Sequence, residues 1–191
     1  MLIWQQGMYY HIYNRGTGKT TLFQEPTNYQ FVTEKLKKYS RENQVTVIAF
    51  CLMPNHYHFM VRQDGDKEAG NIPQSVFNSY SKAYNKKYSR SGTLFEGRFR
   101  AKPILTSSHL QHLCRYIHGN PVKDGLVTDP IDWPYSNYAS WLGQRDTYFV
   151  DESFLQEQFG NADNYKEFLF QYLKSHSLPE DVIKIVRDLE R

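Results

Sequence analysis

The sequence predicts an α+β fold built on an antiparallel sheet, on three observations. Strand-like and helix-like periodicities alternate as strand, helix, strand, strand, helix, strand, with a further helix after them. A nearly unbroken apolar run over 45–52 reverses at Met53-Pro54-Asn55 into a second strand-like run. From residue 148 the apolar positions settle into helical spacing, which marks a small helical extension.

In order, Met8-Tyr9-Tyr10-His11-Ile12-Tyr13-Asn14 is β-rich and runs into Arg15-Gly16, a first strand entering a loop. That loop, Gly16-Thr17-Gly18-Lys19-Thr20, resembles the end of a phosphate-binding P-loop. The motif needs a glycine where Tyr13 stands, so a basic surface loop is expected instead. Pro26 and Thr27 open a helix through about Glu42, with Phe31, Val32 and Leu36 as its apolar stripe. The run 45–52 has the unbroken hydrophobicity of a strand covered on both faces.

Residues 63–71 form a polar loop, and Pro73 starts a second helix to about Tyr88, with Val76, Phe77, Tyr80, Ala83 and Tyr84 at core spacing. Arg98-Phe99-Arg100-Ala101-Lys102 alternates as a fourth strand would, with three cations on one face. Ser107 or Ser108 can cap a third helix from His109 to about Gly119, where Asn120-Pro121 is expected to stop it. The element order is the ferredoxin-like split βαβ pattern. An aromatic loop over 132–138 follows, with Trp133 read as a packing anchor. The tail carries Phe154, Leu155 and Phe159, then Tyr165, Phe168, Leu169 and Tyr172, then Val182, Ile185, Val186 and Leu189.

Charge divides the chain in the same place. The net charge of +3 conceals +7 over 1–147, with 18 Lys/Arg against 11 Asp/Glu, and −4 over 148–191, with 5 against 9. We therefore expect a basic working domain at 1–147, with a polyanion as partner, and an acidic helical extension at 148–191. Over 82–102 seven basic residues face one acidic residue, Glu96. Evenly spaced cations suit a phosphate backbone, and with Phe95 nearby they suit a single-strand groove; the alternative is an edge strand guarded by its charges. Cys51 and Cys114 are expected to be buried thiols. No apolar run reaches the eighteen or so residues of a membrane span, so a cytoplasmic protein without a membrane partner is expected.

The chemistry concentrates at Asn55-His56-Tyr57-His58. On a strand, His56 and His58 point the same way while Tyr57, Phe59 and Val61 point the other, so two imidazoles converge on one point as metal ligands can. Such a pair also occurs with no role beyond hydrogen bonding. On the third helix His112, Tyr116 and Asn120 fall at successive i, i+4 spacings and share a face.

Four motifs together resemble the REP-associated tyrosine transposases, relatives of the single-tyrosine transposases in the HUH endonuclease group. They are His11-Ile12-Tyr13-Asn14-Arg15-Gly16, Leu52-Met53-Pro54-Asn55-His56-Tyr57-His58, Gly92-Thr93-Leu94-Phe95-Glu96-Gly97-Arg98-Phe99 and Tyr116-Ile117-His118-Gly119-Asn120-Pro121-Val122. The resemblance implies that His56, His58 and Asn120 hold a divalent metal, Mg2+ or Mn2+, and that Tyr116 is the nucleophile. It also implies single-stranded DNA near an imperfect hairpin as substrate, cut and rejoined through a 5′-phosphotyrosine. Arg15, Lys86, Arg90, Arg98, Arg100 and Lys102 are the candidate DNA contacts, and His112 is a candidate proton acceptor by spacing alone. Gly119 departs from the apolar residue expected before Asn-Pro. A water-using metal nuclease and a non-catalytic single-strand binding module remain as alternatives, and monomer and homodimer both stay open.

Overall fold

The computed structural model describes residues 2–146, 148–175, 177–180 and 183. The expected apolar positions Val182, Ile185, Val186 and Leu189 lie outside them. Among the described residues the strands and α-helices run in the order β1 (Tyr9–Arg15), α1 (Pro26–Glu42), β2 (Val45–Met53), β3 (His56–Gln63), α2 (Asn71–Lys87), β4 (Arg100–Ile104), α3 (Ser107–Lys123), α4 (Tyr138–Trp141), α5 (Glu152–Phe159) and α6 (Ala162–Ser175). The four strands form one antiparallel sheet in the order β2-β3-β1-β4, the split βαβ arrangement. By contact density the chain falls into two compact units, one of Met1–Val47 with Leu52–Pro103, the other of Ile48–Cys51 with Ile104–Arg191.

In the first unit β1 and β3 pair antiparallel with Tyr13 opposite His58 and Arg15 opposite His56. Ile12, Tyr57, Phe59 and Val61 are buried. Phe77 of α2 stacks on Tyr57 at 4.0 Å between ring centroids and meets Phe95 at 5.0 Å. Phe95 is therefore a core ring and not the exposed stacking surface its place beside the cations had indicated. The turn before β3 is clamped: Leu22 and Phe23 N–H both donate to Pro54 O (2.6 and 3.1 Å), and Gly16 N–H to Asn55 O (2.8 Å). Gly16 can be nothing larger, since a Cβ there would lie 2.2 Å from Thr20 O.

Two sequence expectations fail here for local reasons. The fourth strand begins at Arg100, because Gly97 takes φ +76° and Phe95 makes a bridge to Gly16, so Arg98 sits in a bend outside the strand alternation. The third helix is capped by Thr106, whose Oγ1 accepts from His109 N–H at 3.2 Å, and it runs through Pro121 to Lys123. A residue before proline is only biased against the helical region. The Asn120 side chain donates from Nδ2 to Tyr116 O at 3.1 Å, adding a donor in the turn where Pro121 has none.

The second unit is organised around α3. Its His118 is fully buried, with Nδ1 2.6 Å from Tyr165 Oη and Nε2 2.9 Å from Asn137 Oδ1. Asn137 Oδ1 also accepts from Phe50 N–H (2.8 Å), and Nδ2 donates to Ile48 O (2.7 Å) and Phe149 O (2.9 Å). A Cβ on Gly119 would stand 3.1 Å from Leu173 and 3.2 Å from Tyr172, so the glycine is the notch that receives α6. Trp133 is half-buried and meets Tyr135 edge-on at 5.3 Å. Both cysteines are buried thiols outside any disulfide, as expected. Among the described residues no helix is long and apolar enough to cross a membrane.

Candidate active site

The β1–β3 ladder sets one row of side chains on a single face: Tyr9, His11, Tyr13 and Arg15 from β1, beside Arg62, Met60, His58 and His56 from β3. His56 and His58 thus share a face, as alternation requires, with rings 5.0 Å apart at 78°. His56 is half-buried and His58 nearly wholly buried.

Each histidine has a defined Nδ1 neighbour. His56 Nδ1 lies 2.7 Å from Asn55 Oδ1, an oxygen that can only accept, so His56 donates from Nδ1, and in the neutral ring the lone pair is then on Nε2. His58 Nδ1 lies 3.2 Å from Nε2 of His11, and the two rings stack at 5.3 Å and 24°. Burial pushes His11 down to about 3, with the charge of Lys102 acting in the same direction, so His11 is a neutral imidazole.

The surroundings are cationic. Arg15, directly across from His56, is ion-paired with Glu96, which raises the guanidinium and holds the Glu96 carboxyl below the usual carboxylate range. On β4, Arg100 is exposed and Lys102 half-buried, and two residues apart they share a face. Arg98 lines a cavity of about 470 Å³ together with Asn14, Gln74, Asn78, Phe95 and Phe99. Lys86 is exposed on α2, while Arg90 is held down by Asn85 Oδ1 (3.4 Å) and Thr93 O (3.0 Å).

In the second unit Tyr116 is 3% exposed, with Lys123 Nζ 5.1 Å from its ring centroid. Asn120, also buried, turns its Nδ2 to Tyr116 O, leaving Oδ1 as the acceptor end of the amide. The ring of His112 stacks on Phe168 at 5.4 Å, so aromatic packing against α6 fixes its place.

Among the described residues no three His, Cys, Asp or Glu side chains cluster as a metal site, so a histidine pair needs a third donor of another kind. Imidazole nitrogens and an amide oxygen are donor types that divalent first-row ions and Mg2+ accept; His56 and His58 offer the first on one face of the sheet, and Asn120 is an amide of the second kind on α3.

Residues 5–120 match the family model described as Transposase IS200 like. The chain belongs to the IS200-like transposase family. This IS200-like chain is 26% identical over 113 residues to the REP-associated tyrosine transposase of Escherichia coli (strain K12), covering 59% of its own length and 66% of that relative. A relative from Haemophilus influenzae is 31% identical over 102 residues, 48% of this chain and 57% of that one. The chain thus spans two-thirds or less of these curated relatives. The solved structure of a REP-associated tyrosine transposase bound to a REP hairpin aligns with a TM-score of 0.64 at 20% identity, covering 79% of this chain and 90% of that one, which shows a shared fold.

In this member of the IS200-like family, two residues that bear on the histidine pair are not singled out by the sequence. Asn55 stands in the turn and in the histidine motif, but its bond to the His56 ring is not legible from adjacency alone. His11 lies on the same strand face as Tyr13 and Arg15 by alternation, but its approach to His58 depends on strand register, which the sequence does not state.

Proposed function

We propose that this chain is a metal-dependent single-stranded DNA endonuclease and strand transferase that cuts and rejoins DNA near hairpin elements. The observation that carries the reading is the row on one sheet face, with Arg15 beside His56 and His58 backed by His11. Membership in the IS200-like family and the likeness to REP-associated tyrosine transposases support it.

In this reading His56, His58 and Asn120 hold Mg2+ or Mn2+. The ion supplies charge withdrawal and orientation at the scissile phosphate. Arg15, Arg100 and Lys102 attract the DNA backbone, with Lys86, Arg90 and Arg98 extending the cationic surface. The Tyr116 oxygen attacks phosphorus, the bond from phosphorus to the 3′ oxygen breaks, and the products are a 5′-phosphotyrosine and a 3′-oxygen that takes up a proton to become a hydroxyl. Because the phosphodiester energy is kept in the adduct, the 3′-hydroxyl of another strand can reverse the step. A free phenol has a pKa near 10, so its proton needs an acceptor, and His112, one helical turn earlier, is the candidate. The acidic extension from 148 lies outside this chemistry and packs on α3 through α6.

The burial of Tyr116 favours a second reading, a nuclease in which water is the nucleophile and Tyr116 is a packing residue. Labelled single-stranded DNA carrying a hairpin, incubated with Mg2+ or Mn2+ and run on a denaturing gel, separates the two. A label fixed to the protein, absent in Tyr116→Phe while DNA binding persists, is the expected result. Cleavage without an adduct would establish the water mechanism, and metal-indifferent binding without cleavage would establish a binding module.

A further inference from the structure

We infer that His11 is a positioning residue for the metal site: it accepts the Nδ1–H of His58 and so holds His58 in the neutral tautomer whose Nε2 carries the ligating lone pair. The inference rests on the reading of His56 and His58 as ligands. His11 Nε2 and His58 Nδ1 are 3.2 Å apart, and a nitrogen-to-nitrogen bridge holds a single proton.

Two arrangements satisfy that bridge. If His11 donates, neutral His58 must carry its own proton on Nε2, and that nitrogen cannot ligate. If His58 donates, Nε2 is the lone-pair nitrogen, and His11 keeps its proton on Nδ1. His56 is independently held in the same tautomer by Asn55 Oδ1, so the second arrangement gives both histidines matching Nε2 lone pairs. Ligating histidines as a rule donate their other ring N–H to an acceptor that fixes ring orientation.

The cost of the arrangement is visible. His11 is fully buried, and its Nδ1 has no hydrogen-bond partner among the described residues. In either arrangement one nitrogen of His11 goes unsatisfied, and a phenyl ring of similar shape would avoid that penalty. A polar side chain kept in such a place is explained by what it does for His58. An imidazole also accepts without adding the negative charge that the more usual carboxylate would set close to an approaching phosphate.

Long-range proton–nitrogen correlation spectra of protein labelled with 15N-histidine read the tautomer directly, without metal or DNA. His58 is expected as the Nδ1–H form in the wild type and in His11→Gln, whose amide oxygen can still accept. In His11→Phe it should shift toward the Nε2–H form or a mixture. Calorimetry with Mn2+ should then show roughly 10- to 100-fold weaker binding in His11→Phe, with His11→Gln restoring most of the affinity. A wild-type His58 protonated on Nε2, or a His11→Phe protein with unchanged tautomer and unchanged Mn2+ affinity, would overturn the inference. Absence of Mn2+ binding in the wild type would instead defeat the metal reading, while the spectra would still decide who donates in the bridge. Should His11→Phe fail to fold, the wild-type and His11→Gln spectra suffice to decide it.

Discussion

Arg15 lies directly across the β1–β3 ladder from His56 and is ion-paired with Glu96. The carboxylate therefore offsets a cation beside the candidate metal ligand, and the two residues should act on DNA with opposite signs. Arg15→Gln should weaken single-stranded DNA binding and flatten the log affinity against log salt plot by about 0.7 to 0.9, one phosphate contact. Glu96→Gln should strengthen binding. Fluorescence anisotropy over a salt series measures both, and equal effects of the same sign would show that the pair serves the 94–97 loop instead.

Metal binding should depend on each of the three candidate ligands. His56→Ala and His58→Ala are expected to abolish measurable Mn2+ binding by calorimetry. Asn120→Ala should weaken it by a smaller factor, because an amide oxygen is a neutral donor, while the melting temperature changes little. Unchanged Mn2+ affinity in all three would make the histidines structural.

The cations of β4 divide as the strand boundary dictates. Arg100 and Lys102 share a face, so Arg100→Gln with Lys102→Gln should lower the salt slope by about 1.4 to 1.8 for hairpins of any sequence. Arg98 stands in the bend over the 470 Å³ cavity, and its removal should not act as a third member of the same set. An unaltered slope in the double variant would mean that the charges only protect β4, which is an edge strand of the sheet.

Acid stability should report His118. Burial pushes it from about 6.5 down to about 4, so the unfolded chain takes up the proton first. Its contribution is fully present above about pH 6.5 and fades as the pH falls toward 4, a loss of about 3 kcal/mol. His118→Gln, which can still meet Asn137 and Tyr165, should show a shallower decline by urea unfolding in chelator between pH 7 and pH 4. Parallel declines would mean that other groups set the acid limit.

Gly119 should tolerate one carbon and no more. Gly119→Ala trades about 1 kcal/mol of helix propensity against contacts of 3.1 and 3.2 Å, and should lie near neutral. Gly119→Leu should cost about 2 kcal/mol or more through overpacking against Tyr172 and Leu173, read as a fall in the denaturation midpoint.

How far the sequence could be read depended on whether the deciding signal was local. Pro26 fixed the start of α1, and the unbroken apolar run of β2 and the alternation of β3 needed no partner to be recognised. The end of α3 was misplaced because the bias before proline is a local tendency that packing around Gly119 and Asn120 overrides. The start of β4 was misplaced because alternation was carried back through Gly97, whose positive φ ends it. The histidine pair on β3 was legible from two-residue periodicity. Its partner His11 was not, since 47 residues separate it from His58 and only the pairing register joins them.

Asn137 also decides what can be cut away. β2 is an edge strand, and its outward Ile48 and Phe50 groups are bonded by the Asn137 side chain, by Asn137 N–H and by Trp141 Nε1. A fragment ending after β4 would retain every strand and the histidine pair, yet it would present a bare, almost wholly apolar ladder along β2. Such an edge recruits a strand from another copy. A minimal version of this protein trimmed to its sheet would therefore tend to polymerise, and a workable miniature has to keep the 136–141 plug or replace it with a charge on β2.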